Sequence, residues 1–489
     1  MNISITRDNG AMQVTPAPPY LLDYLKYSHR SFEVVRYKRV NKFTTKLLYE
    51  TDGEGGVYTL HGFFEKICML ITKNNDTYNI IDIRTNLPKI NWDRVKQIGL
   101  REYQVKDVAE FLEKAKNNSG IINATGGYGK TIMQAVTYAA FNNLNTILAI
   151  PLKQVFLQTA AKFKQLFPEK HIGMVGDGSH DISNDITITT FKSLRNCATE
   201  KCQLLLVDEI QGTTGEVISD AITRILPIRA FGYTATDKGL FNNADKLIKG
   251  LFGERLIHIE YQEAQAQKAV VPCTVYFVST SDNVMISATT IEGKIKQGIK
   301  NCVERNKLIS AVCRKVPDNW QTLIFVDHIL DHLIKLHKEM PLGTKYIHRE
   351  SSKTKANSYA LSAKQQNTTI AGFIENDFQY LLATDAFRAG VDIPNCRVVV
   401  QASGGSSEIE ILQEAYRGSR TLPQERQEQL GVTPKTHFIL IDFLDIHDPQ
   451  LESMSNKRME IYRKQGWTIK TVDSVEQIDW NHFEETQTK

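Results

Sequence analysis

The chain has 489 residues, more than one hydrophobic core usually organises, so its length predicts two to four domains. With 42% hydrophobic and 23% charged residues it has an ordinary globular composition, and its formal charge of +4 permits nucleic-acid binding without arguing for it. Its seven cysteines form no CxxC pair and no apolar run approaches 18 residues, which argues against zinc, disulfides and a membrane span and predicts an unprocessed, soluble, cytoplasmic protein.

Residues 1–95 predict a small α+β module. The first twenty residues are mostly polar and end in a proline-rich stretch, so we expect them to be loosely held. Short β-like runs and one amphipathic helix over Gly62–Thr72 follow. The β-like runs are Phe32–Tyr37, Thr44–Glu50, Val57–Leu60 and Tyr78–Ile83.

A basic stretch in this module places cations beside aromatic residues. Its cations are Arg36, Lys38, Arg39, Lys42 and Lys46, with Tyr37, Phe43 and Tyr49 among them. Cations beside aromatics suit phosphate contacts and base stacking, so these residues are candidate nucleic-acid contacts. A strand with a solvated basic face explains the pattern equally well, and the sequence leaves both interpretations open.

From Leu100 onward, apolar strand-like runs alternate with helical stretches, which is typical of parallel α/β sheets. Two such sets predict two tandem α/β domains, over 96–268 and 269–489. The segment Glu260–Ser287 shows no clear helix and contains Pro272, so we expect a domain connection there. The predicted strands are Ile121–Asn123, Thr146–Ile150, Ile186–Thr189, Leu204–Val207 and Ala230–Tyr233, then Thr322–Val326, Tyr346–His348, Tyr380–Thr384, Val398–Gln401 and Phe438–Phe443.

The stretch Ile121–Thr131 combines a strand, a glycine loop, a Lys-Thr pair and the start of a helix, which are the parts of a phosphate-binding loop. Glycines let successive backbone N–H groups point at phosphate oxygens, and the helix N-terminus adds partial positive charge. Lys130 would reach the β and γ phosphates of ATP, and the Thr131 hydroxyl would help to hold Mg²⁺. The candidate nucleotide-binding residues are Thr125, Gly126, Gly127, Tyr128, Gly129, Lys130 and Thr131.

Ala124 replaces the first glycine of the usual loop pattern, and a glycine-rich turn capping an ordinary helix is the alternative interpretation. A second element favours the nucleotide site. An apolar strand, Leu204–Val207, ends in Asp208 and Glu209. Asp208 is placed to hold Mg²⁺ and Glu209 to polarise the attacking water.

With these elements the chain resembles superfamily 2 helicases and translocases between Leu100 and about Asp445. Leu100–Gln104 resembles the entry motif of the DNA-directed members, in which the glutamine reads adenine, so Arg101 and Gln104 become candidate nucleotide contacts. Ile147–Gln158 resembles motif Ia, Thr189–Leu194 resembles the next strand-end motif, and Thr234–Thr236 resembles motif III. The first two segments imply nucleic-acid contacts at Pro151, Gln158 and Thr190. Asp208–Gln211 resembles motif II, with the sequence Asp-Glu-x-Gln.

The second domain completes the resemblance. Ile324–Val326 resembles motif IV, and Ala383–Pro394 is similar to motif V, which implies a nucleic-acid contact at Thr384 and nucleotide contacts at Gly390 and Asp392. Gln413–Arg420 is similar to motif VI, with Tyr416 and Ser419 where glycines are usual. We expect Gln413, Arg417 and Arg420 to share one helical face and to act on the γ-phosphate.

The resemblance implies two RecA-like domains that bind ATP and Mg²⁺ and step along DNA, with 3′→5′ polarity. The small basic N-terminal module resembles that of phage recombination helicases of the UvsW type, which implies forked or branched DNA as the partner, a role in recombination, repair or replication, and a host-cytoplasmic location. Two alternatives remain: a duplex-tracking motor subunit of a restriction or remodelling complex, and a nucleic-acid-binding protein that uses ATP as a clamp. Protein partners cannot be read from the sequence.

Overall fold

A computed structural model describes residues 1–35, 38–141, 144–197, 201–236, 245–348, 359, 361–384 and 393–480. Its contacts divide the chain into two compact units. The first comprises Met1–Ala124 and Gly129–Ile259, and the second comprises Thr125–Tyr128 and Glu260–Lys489. Among the described residues, no helix has both the length and the apolar character needed to cross a bilayer.

The N-terminal part of the first unit is a five-stranded sheet in the order β5-β6-β2-β1-β7, accompanied by a separate two-stranded ribbon, β3-β4. Its strands are β1 (Asn2–Arg7), β2 (Ala11–Thr15), β3 (Lys26–Val35), β4 (Lys38–Leu47), β5 (Tyr49–Thr51), β6 (Val57–Leu60) and β7 (Thr77–Asp82), and its helices are α1 (Pro19–Tyr24) and α2 (Phe64–Lys73).

The expectation that the first twenty residues are loosely held is wrong. β1 and β2 pair antiparallel, and alternate side chains of both strands are buried. Ile3, Ile5, Met12 and Val14 are at most 2% exposed and form the core of this sheet with Phe63. Apolar residues at alternate positions are the signal of a strand with one buried face, but the mostly polar composition of the segment concealed this pattern.

The rest of the first unit is an eight-stranded sheet in the order β11-β10-β12-β9-β13-β14-β8-β15, parallel except for the β10–β11 pair. Its strands are β8 (Gly120–Ala124), β9 (Thr146–Ile150), β10 (Ile172–Gly176), β11 (Ser179–Asp181), β12 (Ile186–Thr190), β13 (Leu204–Asp208), β14 (Arg229–Thr234) and β15 (Arg255–Ile259). Its helices are α3 (Trp92–Gln97), α4 (Glu102–Ala115), α5 (Lys130–Ala140), α6 (Lys153–Leu166), α7 (Glu216–Thr223) and α8 (Asp245–Phe252).

The N-terminal module packs directly on α8. A Cβ added to Gly250 of α8 would lie 2.7 Å from both Leu60 and Phe63 of the module. In the other direction, a Cβ on Gly62 would lie 1.9 Å from the Lys249 carbonyl oxygen. Because two glycines permit this close approach, the module is an integral part of the first unit.

The second unit contains a seven-stranded parallel sheet in the order β18-β19-β17-β20-β21-β16-β22. Its strands are β16 (Cys273–Ser279), β17 (Gln321–Phe325), β18 (Lys345–Ile347), β19 (Tyr380–Ala383), β20 (Cys396–Gln401), β21 (Phe438–Leu444) and β22 (Thr468–Val472). Its helices are α9 (Tyr261–Ala266), α10 (Ile291–Ile295), α11 (Val303–Lys315), α12 (Ile334–Glu339), α13 (Ala363–Ile374), α14 (Glu408–Ala415), α15 (Gln424–Leu430) and α16 (Pro449–Lys464).

The expectation that Glu260–Ser287 contains no clear helix is wrong, while the boundary between the two units falls at the start of this segment, between Ile259 and Glu260. α9 begins at Tyr261, and β16 lies between β21 and β22 with six of its seven residues buried. A strand buried on both faces appears in the sequence as a short, continuous apolar run. Because Pro272 lies just before this run, the segment resembled a linker.

A buried ionic network fixes α11 and α16 to this sheet. Arg305 of α11 donates to Asp445 at 2.8 Å, and Arg458 of α16 lies 2.9 Å from Asp442, with all four side chains 0% exposed. The hydroxyl of Tyr462 donates to the same Asp442 carboxylate at 2.9 Å. Removing one partner of such a pair typically costs about 3–5 kcal/mol because the other charge stays buried.

Candidate nucleotide site and motor motifs

The motor motifs of the first unit lie at one edge of its parallel sheet. β8, β9, β12, β13 and β14 run in the same direction, so their carboxyl ends meet there. The glycine loop follows β8, and Asp208 is the last residue of β13. Ligands of open α/β sheets bind outside the carboxyl ends of the strands, so this edge is the candidate site.

Two glycines of the loop adopt backbone conformations that other residues rarely take. Gly127 has φ +90° and Gly129 has φ +104°, both in the left-handed region. Gly129 is also the N-cap of α5, which opens with Lys130 and Thr131 in its first turn. The helix N-terminus therefore points its unpaired N–H groups toward the loop, as phosphate binding requires.

The entry glutamine lies beside this loop. Gln104 is 2% exposed, and its Nε2 would lie 2.8 Å from a Cβ added to Gly129. Its Oε1 accepts a hydrogen bond from the backbone N–H of the exposed Arg101 at 3.2 Å. The structure thus places Gln104 next to the glycine that begins the helix, whereas the Arg101 guanidinium donates to the Tyr103 hydroxyl at 3.0 Å.

The Lys130 side chain is half-buried, and its Nζ lies 3.4 Å from the Ala124 carbonyl oxygen at the end of β8. A backbone carbonyl at that distance is a weak, replaceable partner. The ammonium is therefore available to a stronger acceptor such as a phosphate oxygen.

Asp208 fits the role of a Mg²⁺-binding carboxylate. It is 8% exposed, and its buried Oδ1 has no hydrogen-bond partner among the residues that the structure describes. Burial is the larger cause and the charge of Glu209 the smaller one of a pKa for Asp208 above its usual range. The charge of Lys130 lowers this pKa, but by less than those two effects raise it. A divalent cation offsets both effects, so Asp208 and the Thr131 hydroxyl are the residues that would hold Mg²⁺, which supplies positive charge to the phosphates.

Gln134 is a site residue that sequence reasoning missed. It lies one helical turn after Lys130, is 1% exposed, and neither polar atom of its side chain has a hydrogen-bond partner within 3.5 Å. Its amide lowers the pKa of Asp208, which places it beside that carboxylate. The i,i+4 spacing from Lys130 on α5 is the signal in the sequence that could have identified it.

A chain of hydrogen bonds joins the candidate water-polarising residue to motif III. The Gln211 amide donates to the Glu209 carboxylate at 2.7 Å, and the Thr234 hydroxyl lies 2.8 Å from Gln211 Oε1. The backbone N–H of Thr236 donates to the Thr234 hydroxyl at 3.0 Å. The backbone of Glu209 is strained, with φ +47°, and these hydrogen bonds hold its carboxylate in place.

Replacing Gln211 by alanine is expected to lower kcat for ATP by about 10–100-fold with little change in KM, because Glu209 loses the donor that orients it. Gln211→His keeps a donor and an acceptor and is expected to retain more activity. Steady-state ATPase kinetics on the folded variants provide the measurement. An alanine variant with wild-type kcat would show that Glu209 is held by its backbone alone.

The prediction that Gln413, Arg417 and Arg420 share one helical face is wrong. α14 ends at Ala415, so only Gln413 lies on the helix. Arg417 is 8% exposed in the following turn, and Arg420 forms an isolated antiparallel bridge with Val270. Gly418, packed against Phe438, and the turn at Tyr416 stop the helix before the arginines.

The two residues that depart from motif VI both contact the glycine loop, whose residues Thr125–Tyr128 belong to the second unit. The Ser419 hydroxyl donates to the Gly126 carbonyl at 3.0 Å. A Cβ on Gly126 would lie 2.4 Å from Cβ of Tyr416, and one on Gly127 would lie 3.6 Å from Cγ of Arg420. Within the second unit, the stem of Arg420 therefore lies beside Gly127.

The candidate nucleic-acid contacts fall on several elements. Pro151 directly follows β9, Gln158 is exposed on α6, and Thr190 ends β12 with its hydroxyl donating to Ser193 at 3.1 Å. Thr384, in the second unit, is 4% exposed. Gly390, Asp392 and Arg36 lie outside the described residues, as do the side chains of Lys38 and Arg39.

Two family models match the chain. Residues 97–238 match the type III restriction enzyme res subunit, and residues 304–421 match the helicase conserved C-terminal domain. With both models matched in order on two RecA-like sheets, the chain is a superfamily 2 helicase-type ATPase.

Particular relatives are distant. "Putative helicase 22" of the Sulfolobus islandicus filamentous virus (isolate Iceland/Hveragerdi) is 22% identical over 441 residues, which is 82% of this chain and 74% of that protein. The crystal structure of T4 UvsW aligns with 97% of this chain and all of that chain, at 17% identity and a TM-score of 0.43. S. cerevisiae Dbp5 bound to RNA and ADP BeF3 aligns with 77% of this chain and 95% of that chain, at 15% identity and a TM-score of 0.51, and shares the fold.

Proposed function

We propose that this protein is a Mg²⁺- and ATP-dependent DNA helicase or translocase that acts on forked or branched DNA in recombination, repair or replication, in the cytoplasm of its cell or host. ATP hydrolysis at the glycine loop would alternate tight and loose grip on a strand. Pro151, Gln158, Thr190 and Thr384 would provide contacts to that strand. The observation that supports a branched substrate is a basic β-ribbon within the first unit.

The ribbon consists of two ten-residue antiparallel strands, β3 and β4, with Val35 paired opposite Lys38. Phe43 is 66% exposed and the neighbouring Lys42 is also exposed. Long two-stranded ribbons and exposed aromatics beside cations are used to enter grooves and to stack on unpaired bases. Residues 1–95 carry thirteen Lys and Arg against ten Asp and Glu, most of the excess charge of the whole chain.

The substrate is tested by comparing ATPase stimulation and strand separation on single-stranded DNA, duplex, fork, four-way junction and RNA. The proposal expects the fork or junction to stimulate most and to be unwound. Stimulation by duplex without unwinding would favour a duplex-tracking motor of a restriction or remodelling complex. Nucleic-acid binding without turnover would favour an ATP-dependent clamp, and stimulation only by RNA would contradict the proposal.

Replacing Arg36, Lys38, Arg39 and Lys42 together by alanine is expected to flatten the dependence of log K on log salt for fork binding. Each lost phosphate contact removes about 0.9 from the slope, so the change reaches about 3.6 if all four contribute. A matched variant removes four exposed cations elsewhere: Arg224, Lys457, Arg463 and Lys464. Fork and plain duplex binding are measured over a salt series.

Equal salt slopes in the two variants and an unchanged fork preference would mean that the ribbon is only a structural brace. Substitution is the suitable test, since deleting the module would uncover the face of α8 on which Leu60 and Phe63 pack.

A further inference from the structure

A small cavity between the N-terminal module and the first α/β sheet contains a buried cation that no carboxylate in the described part of the chain neutralises. The cavity has a volume of about 220 Å³, and Arg7, His61, Arg84 and Arg229 are among its lining residues. It is separate from the glycine loop, none of whose residues lines it. All of its lining residues belong to the first unit.

Arg229, the first residue of β14, is 3% exposed. Its guanidinium donates to two backbone carbonyls, of Ile228 at 2.7 Å and of Lys116 at 3.3 Å, and its Nε is buried without a partner. Among the described residues, no carboxylate forms an ion pair with it. Burying a charge without an ion-pair partner is costly, and a bound anion would offset that cost.

The carboxylates near the cavity are either paired with other cations or exposed to solvent. Arg7 and Arg84 share one carboxylate, Asp82, at 3.7 and 2.6 Å, and each is 14% exposed. Burial, Arg84 and Arg7 together lower the pKa of Arg229 to about 10, which leaves it charged at neutral pH. Of the acidic lining residues, Glu254 pairs with Lys249 at 2.9 Å, and Asp8 and Glu65 are exposed. The cavity therefore keeps an excess of positive charge.

His61 adds a specific acceptor. Its Nδ1 lies 3.1 Å from the Gly10 carbonyl, which only accepts, so Nδ1 carries the ring proton. Burial lowers the pKa of His61 most, the hydrogen bond to Gly10 raises it, and the nearby arginines lower it further. The resulting pKa is about 4, so the ring is neutral. Its buried Nε2 then presents a lone pair that has no partner.

We propose that this cavity binds hydrogenphosphate, either as the free ion or as a singly protonated terminal phosphate. The anionic oxygens accept from Arg229 and the phosphate hydroxyl donates to Nε2 of His61. A cavity of this size is smaller than the 300–1,000 Å³ of typical small-molecule pockets, so it suits a phosphate group and excludes a whole nucleotide. Sulfate has the same shape but no proton to donate, and is the discriminating competitor.

The test is calorimetric titration of the full chain with inorganic phosphate, and separately with sulfate, at constant ionic strength. We expect saturable phosphate binding, at least tenfold weaker sulfate binding, and at least tenfold weaker phosphate binding in Arg229→Gln. Arg224→Gln, which removes an exposed arginine outside the cavity, is expected to bind phosphate normally. Lys130→Ala is expected to retain this binding as well, which separates the cavity from the glycine loop.

If Arg229→Gln does not fold, His61→Phe is the second variant, because it removes the acceptor and keeps the charge. It is expected to abolish the preference for phosphate over sulfate. Absence of saturable phosphate binding, or binding lost in Lys130→Ala and kept in Arg229→Gln, would overturn the proposal.

The source of the phosphate is resolved with identical oligonucleotides that end in 5′-phosphate, 3′-phosphate or hydroxyl groups. Tighter binding of a phosphorylated strand that Arg229→Gln eliminates assigns the cavity to a strand end. Equal binding of all three, together with the calorimetric result, assigns it to the free ion.

Discussion

Replacement of Lys130 by alanine is expected to abolish ATP turnover while nucleic-acid binding remains mostly intact. Lys130 is the cation of the stretch Ile121–Thr131, and its Nζ lies 3.4 Å from the Ala124 carbonyl oxygen, a weak partner that a phosphate can replace. Without it, the developing charge on the transferred phosphoryl group loses its main protein-borne counter-charge. Single-turnover and steady-state ATPase assays, with strand binding measured in parallel, check the prediction.

Lys106→Ala is the matched control, because Lys106 is exposed on α4 and is not part of the loop. It is expected to leave ATP turnover unchanged. Wild-type DNA-stimulated turnover in a folded Lys130→Ala protein would disprove the phosphate-binding loop, and the glycines would then serve only to cap α5.

Arg420→Ala is expected to lower kcat by about 10³–10⁵-fold with little effect on nucleotide affinity, the range measured for arginines that stabilise phosphoryl-transfer transition states. Arg420 is half-buried, and its stem lies beside Gly127 of the loop. Arg420→Lys is expected to be nearly as damaging, because an ammonium cannot reproduce the planar fork of a guanidinium. The resemblance to motif VI implies a role for Arg417 in γ-phosphate binding and closure, and on that hypothesis its replacement is expected to raise KM as well.

Arg463→Ala, which removes an exposed arginine of α16, serves as the control for charge. Steady-state kinetics that show only a raised KM for Arg420→Ala would place this residue in ground-state binding.

The sequence predicted the two α/β sheets and the residues at their strand ends well. All ten predicted motor strands are present, within two residues of the predicted limits. Strands such as β13 are buried on both faces, and a continuous apolar run followed by Asp-Glu has few other interpretations. The order of the motifs placed the glycine loop and Asp208 at the same edge, as parallel connectivity requires.

Signals that depend on a partner elsewhere in the chain were missed. β1 and β2 read as polar because only alternate residues are buried, and β16 read as a linker because Pro272 precedes it. The ends of helices were also misjudged: Arg417 and Arg420 follow α14, where Gly418 packs against Phe438. Such a stop is set by tertiary contacts, which outweigh local propensity.

By itself, the sequence determined the class of this protein, because the glycine loop, the acidic strand end and the arginine motif are each local and follow one another at the required spacing. Only the tertiary structure decided which groups meet across long sequence separations. Gln211 bridges Glu209 to Thr234, Gln104 lies beside Gly129, and the buried Arg229 donates to two carbonyls while no carboxylate of the described residues pairs with it. Hydrogen bonds and ion pairs depend on which elements pack together, and packing is a property of the whole fold.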